Sequence, residues 1–123
     1  MLRKNSTKGS LLMDSNKQIN WNIIAVDFDG TLCANKYPDI GEANEQVVAY
    51  VRAMKEFGYR IILWTCRSGD LLQEAVKWCK EQGIMLDAVN ENLPDIIEYF
   101  GTDTRKIYAH EYIDDKSCTL FKL

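Results

Sequence analysis

The sequence predicts an α/β fold, with a mostly parallel sheet and helices on both of its faces. Three observations lead there. Two short runs, 22–28 and 59–65, are almost continuously apolar, the pattern of strands covered on both sides. Amphipathic helical segments stand between and after them. The predicted order is β-α-β-α-β-α-β, an alternation that favours parallel pairing through helical crossovers.

The first strand is Asn22-Ile23-Ile24-Ala25-Val26-Asp27-Phe28, an apolar run that ends in an acid. Residues 29–42 contain Gly30, Pro38 and Gly41 and read as a loop. From Ala43 to Phe57 the spacing is helical, with Val47, Val48, Val51, Met54 and Phe57 on one face and Gly58 as the stop. Tyr59 to Thr65 is the second buried strand. Asp70 is expected to cap the next helix, with Gln73 at capping-box distance. That helix turns Leu72, Ala75, Val76 and Cys79 inward and ends at Gly83. Met85 to Asn90 is a weaker strand. Pro94 suits the first position of a short helix closed by Gly101. Lys106 to Ile113 is the last expected strand, and 116–123 a short tail with a possible edge strand.

The chain has 123 residues, enough for one domain. It is 46% hydrophobic and 27% charged, as soluble globular proteins are. Four bases against one acid give residues 1–18 a local charge of +3, so the rest carries −6 of the net −3. Residues 1–18 read as a mobile tail and 19–123 as the single domain. The acidic balance argues against a nucleic-acid partner. No signal peptide or membrane span is expected, and a cytoplasmic location is the default. The four cysteines, at 33, 66, 79 and 118, lack C-x-x-C spacing, so reduced thiols rather than a zinc site are expected. Trp64, Trp78 and Tyr50 read as core or partly buried aromatics, and His110 as a packed, hydrogen-bonded side chain of the last strand.

In parallel sheets ligands bind beyond the carboxyl ends of the strands. Those ends are Asp27, Thr65, Asn90 and Asp114-Asp115. The segment Asp27-Phe28-Asp29-Gly30-Thr31 sets two carboxylates two apart beyond a buried strand. Asp114 and Asp115 add two more beyond another. Carboxylates gathered at one point repel unless a cation compensates, and Mg2+ suits a few carboxylates with substrate phosphate and water.

Asp27-x-Asp29-Gly30-Thr31 resembles the first motif of the haloacid dehalogenase (HAD) phosphatase superfamily. Ile61-Ile62-Leu63-Trp64-Thr65 is similar to its second motif, and Tyr112-Ile113-Asp114-Asp115 to its fourth. The third is a lysine upstream of the fourth, which Lys106 matches; Lys116 is a competitor. The resemblance spans roughly residues 22–116. It implies a three-layer Rossmann-like fold, and the short gaps between motifs leave no room for a cap domain. It implies Asp27 as nucleophile and Asp29 as general acid and base. Thr65 would bind phosphoryl oxygens, and Lys106 would supply positive charge. Asp27, Asp114, Asp115 and the Asp29 carbonyl would ligate Mg2+. Gly30, Thr31, Cys66 and Arg67 are candidate substrate contacts. Arg67 suits either a bidentate clamp on substrate or a structural pair with an acid.

The expected activity is hydrolysis of a small phosphorylated metabolite through an aspartyl-phosphate, with a homo-oligomer as one route to selectivity. The alternatives are a HAD-like binding or scaffold protein without turnover and a receiver-like signalling module. A receiver would carry its phosphorylated Asp after the third strand, where this chain has Val89-Asn90-Glu91.

Overall fold

The computed structural model describes residues 18–117. The expected tail 1–18 therefore lies almost wholly outside the described residues, as does all but 116–117 of the expected tail 116–123. The elements are β1 (Ile23–Val26), β2 (Cys33–Lys36), β3 (Asp39–Ala43), α1 (Glu45–Glu56), β4 (Arg60–Leu63), α2 (Gly69–Glu81), β5 (Ala88–Val89), α3 (Pro94–Phe100) and β6 (Glu111–Ile113). Four strands form a parallel sheet in the order β5-β4-β1-β6. Among the described residues no helix is long and apolar enough to cross a membrane.

The central strand β1 explains the unbroken apolar run. Ile24 and Val26 join Ile61 and Leu63 of β4 in one buried cluster, with Val48 and Val51 of α1 and Ala75 and Cys79 of α2. Ile23 and Ala25 join Ile62 in a second cluster, with Leu93, Ile96 of α3, Ile107 and Ala109. Adjacent residues of a strand point to opposite faces, so a strand serving two clusters must be apolar at every position. Burying one Ile or Leu in this way contributes about 1.5–3 kcal/mol.

Several expectations change. Residues 29–42 are not simply a loop, because β2 and β3 pair as an antiparallel hairpin with a cis Tyr37–Pro38 peptide in its turn. Three of the four residues of β2 face solvent, so the hairpin lacks the apolar alternation that marks a half-buried strand. The Asn35 side chain accepts a hydrogen bond from the Tyr37 N–H (3.2 Å), and Gly41 lets the Ala34 carbonyl pack where a Cβ would stand at 2.2 Å.

Helix α2 starts two residues earlier than expected, with Ser68 rather than Asp70 at the N-cap. Asp70 lies in the first turn, where its charge faces the positive end of the helix dipole. Strand β6 is shorter than the expected 106–113, although the His110 N–H already donates to Ile23 O (2.7 Å). The stretch before it is held by Asn92 instead. This buried amide donates to Asp103 Oδ1 (2.7 Å) and Thr104 O (3.1 Å), and its oxygen accepts from the Tyr108 N–H (2.8 Å). His110 is exposed and meets the Tyr59 ring edge-on rather than packing inside a strand. Tyr50 and Trp64 are also exposed, while Trp78 packs edge-on against Phe28.

Candidate active site at the carboxyl ends of the strands

Asp27 follows the last residue of β1, and its N–H donates to Ile113 O (2.9 Å), which extends the ladder to β6. The chain then coils tightly. The Phe28 carbonyl accepts from the N–H groups of Thr31 (3.1 Å) and Leu32 (2.9 Å), and Gly30 adopts φ 85°. The Thr31 hydroxyl joins the two acidic loops. It donates to Asp27 Oδ2 (3.3 Å) and accepts from the Asp115 N–H (3.0 Å), across 84 residues of sequence. Gly30 packs so close to this loop that a Cβ would lie 2.3 Å from Asp115 Oδ2.

Asp27, Asp114 and Asp115 each bring a carboxylate oxygen within 4.8 Å of the others. Burial pushes the Asp27 carboxyl up to about 6, and repulsion from Asp114 and Asp115 adds to the shift. Hydrogen bonds from the backbone and Thr31 oppose it only in part. The expected fourth acid stands apart. The Asp29 carboxylate is gripped by Arg67, whose Nε and Nη2 each donate at 2.8 Å.

The cleft over these acids has a volume of about 420 Å³ and includes Thr65, Cys66 and Lys116 in its wall, with Asn35 and Tyr37 from the hairpin. Thr65 follows β4. Its N–H donates to Asn90 Oδ1 (2.8 Å), and its hydroxyl accepts from the Arg67 N–H (3.2 Å). The hydroxyl proton is thus left for another acceptor. Asn90 adopts φ 56°, in the left-handed region that Asn tolerates better than most residues.

No protein-family model and no curated protein matches the chain. One solved structure, that of a conserved protein coded by a locus of Bacteroides thetaiotaomicron, superposes with a TM-score of 0.70. It is 40% identical, over 80% of this chain and 78% of that one. The chain belongs to the family of this Bacteroides protein.

In this member of the family the expected site residues separate into groups. Asp27, Asp114 and Asp115 converge, with Thr65 and Cys66 in the same cleft. Of the expected substrate contacts, Thr31 is buried beneath the acids and Gly30 abuts Asp115. Arg67 lines the cleft too, but its side chain is wholly buried and bonded to Asp29, the structural pairing with an acid that the sequence also allowed. Lys106 does not line the cleft; its Nζ lies 5.7 Å from the centre of the Tyr112 ring, in a separate groove. Lys116 does line it, 3.5 Å from Asp115 Oδ2 and 79% exposed. Burial raises the Cys33 thiol and pushes Cys79 up to about 12, so neither is a nucleophile at neutral pH.

Asn35, Tyr37 and Asn92 carry no functional signal in the sequence, whereas Asn90 is legible as a strand end. The one local signal near them is the Tyr37-Pro38 turn.

Proposed function

We propose that the chain is a Mg2+-dependent phosphomonoester hydrolase of the HAD type, on a capless three-layer Rossmann-like domain, acting on a small phosphorylated metabolite through an aspartyl-phosphate. The observation that carries this reading is the convergence of Asp27, Asp114 and Asp115 beside Thr65 in one cleft. The two buried clusters that share β1 support the three-layer arrangement.

The donor set fits a hard divalent cation, since all three groups offer carboxylate oxygen and their mutual repulsion favours one. Asp27, Asp114 and Asp115 would hold the ion, with the Asp29 carbonyl as the further ligand that the resemblance implies. Once bound, it would offset negative charge on the carboxylates and on the phosphoryl group.

In the first step an Asp27 oxygen forms a bond to phosphorus while the ester P–O bond breaks. The departing oxygen takes a proton from Asp29. In the second step Asp29 takes a proton from water, the water oxygen attacks phosphorus, and the bond to Asp27 breaks to release phosphate. Thr31 orients the nucleophile through its bond to Asp27 Oδ2. The Thr65 hydroxyl, accepting from Arg67 N–H, points its own proton at a phosphoryl oxygen. The resemblance gives the compensating cation to Lys106, while position in the cleft favours Lys116.

The test is phosphate release from an aryl phosphate in the presence of Mg2+, abolished by EDTA. A chain that binds Mg2+ yet releases no phosphate from a broad panel of phosphate esters contradicts hydrolysis. The pairing of Asp29 with Arg67 favours a second reading, a phosphate-ester binding protein without turnover. In that case phosphate esters bind stoichiometrically and are recovered intact.

A further inference from the structure

Arg67 is one of the largest fully buried side chains of the molecule, and all five of its side-chain N–H groups have acceptors. Nε donates to Asp29 Oδ2 and Nη2 to Asp29 Oδ1, at 2.8 Å each. Nη2 also donates to Asp39 O (2.9 Å), and Nη1 to Pro38 O (3.1 Å) and, more weakly, to Leu71 O (3.5 Å). The guanidinium lies between two rings, 5.1 Å from the centre of Phe28 and 5.2 Å from that of Tyr37. Phe28 and Asp29 belong to the nucleophile loop. Tyr37 and Pro38 form the turn of the hairpin, and Asp39 is the first residue of β3. One side chain therefore grips both walls of the cleft.

We propose that Arg67 is a positioning residue that joins Asp29 to the hairpin turn, so that the carboxylate and the Asn35–Tyr37 wall of the cleft move as one unit. No donor is left over for a substrate. A carboxylate has about four lone-pair sites, of which the fork takes two. The outward pair stays available for proton exchange, in a plane that the fork sets. A lysine is a point charge on a flexible stem and cannot span a carboxylate and two backbone carbonyls together. The link between Asp29 and the hairpin is independent of whether the protein turns over; its catalytic consequence rests on the hydrolase reading.

Two measurements test it. Asp29→Asn turns one acceptor into a donor aimed at the guanidinium, and Asp29 makes no hydrogen bond of its own to the hairpin turn. Hydrogen exchange at the Tyr37 amide, which donates to Asn35 Oδ1, is expected to accelerate about tenfold in this variant, with Ile61 and Ile62 of β4 unchanged as a control for global unfolding. Unchanged exchange in the hairpin overturns the link. In steady-state kinetics on an aryl phosphate, Arg67→Lys is expected to lower kcat about 100-fold, the scale of a misplacement near the chemistry, while KM stays within about threefold. A large rise in KM at unchanged kcat would show that Arg67 contacts substrate, which overturns the proposal. Should Arg67→Lys fail to fold, the exchange measurement on Asp29→Asn decides alone. Should the wild-type chain show no turnover, the hydrolase reading fails while exchange still decides the role of Arg67.

Discussion

Gly30→Ala probes the closest approach in the site. Two effects act at this position and have different sizes. The backbone sits at φ 85°, where an L side chain costs about 1–2 kcal/mol. The new Cβ would also stand 2.3 Å from Asp115 Oδ2 and 3.0 Å from its Cγ, so the carboxylate must swing away. The Asp115 side chain is 30% exposed and can turn toward water at little cost in stability. The stability loss therefore stays near the backbone term, which for a domain of this size is a fall in Tm of about 4–16 °C. The cation site, by contrast, loses one carboxylate of three. Gly101→Ala supplies the control, with φ 80° and no atom within 4 Å of its Cβ, so it carries the backbone term alone. Thermal unfolding in EDTA is expected to place the two variants close together. Calorimetric titration with Mg2+ is expected to separate them, with Gly30→Ala weakened at least about tenfold, the low end of effects from disturbed metal surroundings, and Gly101→Ala like wild type. If Gly30→Ala bound Mg2+ as tightly as Gly101→Ala does, Asp115 would not be part of the cation site and the reasoning would be refuted.

Asp27→Asn is expected to abolish turnover of an aryl phosphate while the chain melts within a few degrees of wild type; substantial residual turnover would exclude a covalent step at Asp27. The resemblance expects Lys106→Ala to cost more activity than Lys116→Ala, whereas the place of Lys116 in the cleft expects the reverse; the ranking in kcat assigns the compensating cation to one or the other. The Asp27 carboxyl, raised from 3.8 to about 6 without metal, binds its proton more tightly folded than unfolded. Its contribution to stability is thus fully present below about pH 3.8 and lost as pH rises through 6. In EDTA a carbon-13 titration should find this carboxyl well above the ordinary range, and saturating Mg2+ should lower it; an ordinary value without metal would contradict the burial argument. Gly41→Ala would force a Cβ to 2.2 Å from the Ala34 carbonyl oxygen, within backbone that cannot swing aside. Loss of hydrogen-exchange protection confined to β2 and β3 is the expected result, and wild-type protection there would show that the hairpin packs differently.

What the sequence discloses follows the range of the interactions. Strands β1 and β4 are legible because burial on two faces writes itself into every consecutive residue. Helices α1 and α3 are legible from the spacing of their inward side chains and from Gly58 and Gly101 at their ends. The acids at 27, 29, 114 and 115 are legible as types, since carboxylates beyond buried strands have few other uses. Their division of labour is not. Asp27 and Asp29 read alike along the chain, yet one shares its surroundings with two more acids and the other is neutralised by a base 38 residues away. Nothing near Arg67 distinguishes a buried fork from a solvated one, because burial of a charge depends on partners that only the fold supplies. The hairpin escapes for the opposite reason. Its strands are held by main-chain bonds, by Gly41 against Ala34 and by carbonyls bonded to Arg67, none of which leaves an apolar pattern. The short β6 follows from Asn92, a single amide whose hold on 103–108 replaces the ladder that the apolar pattern suggests. The fork of Arg67 and the hairpin both belong to the wall of the cleft, where side chains bond to backbone across long sequence separations. That wall is also where a capless domain would select its substrate. The acids of the centre are therefore readable from their order along the chain, whereas on the proposed reading selectivity is to be sought in the bonded geometry of Arg67, Tyr37 and Asn35.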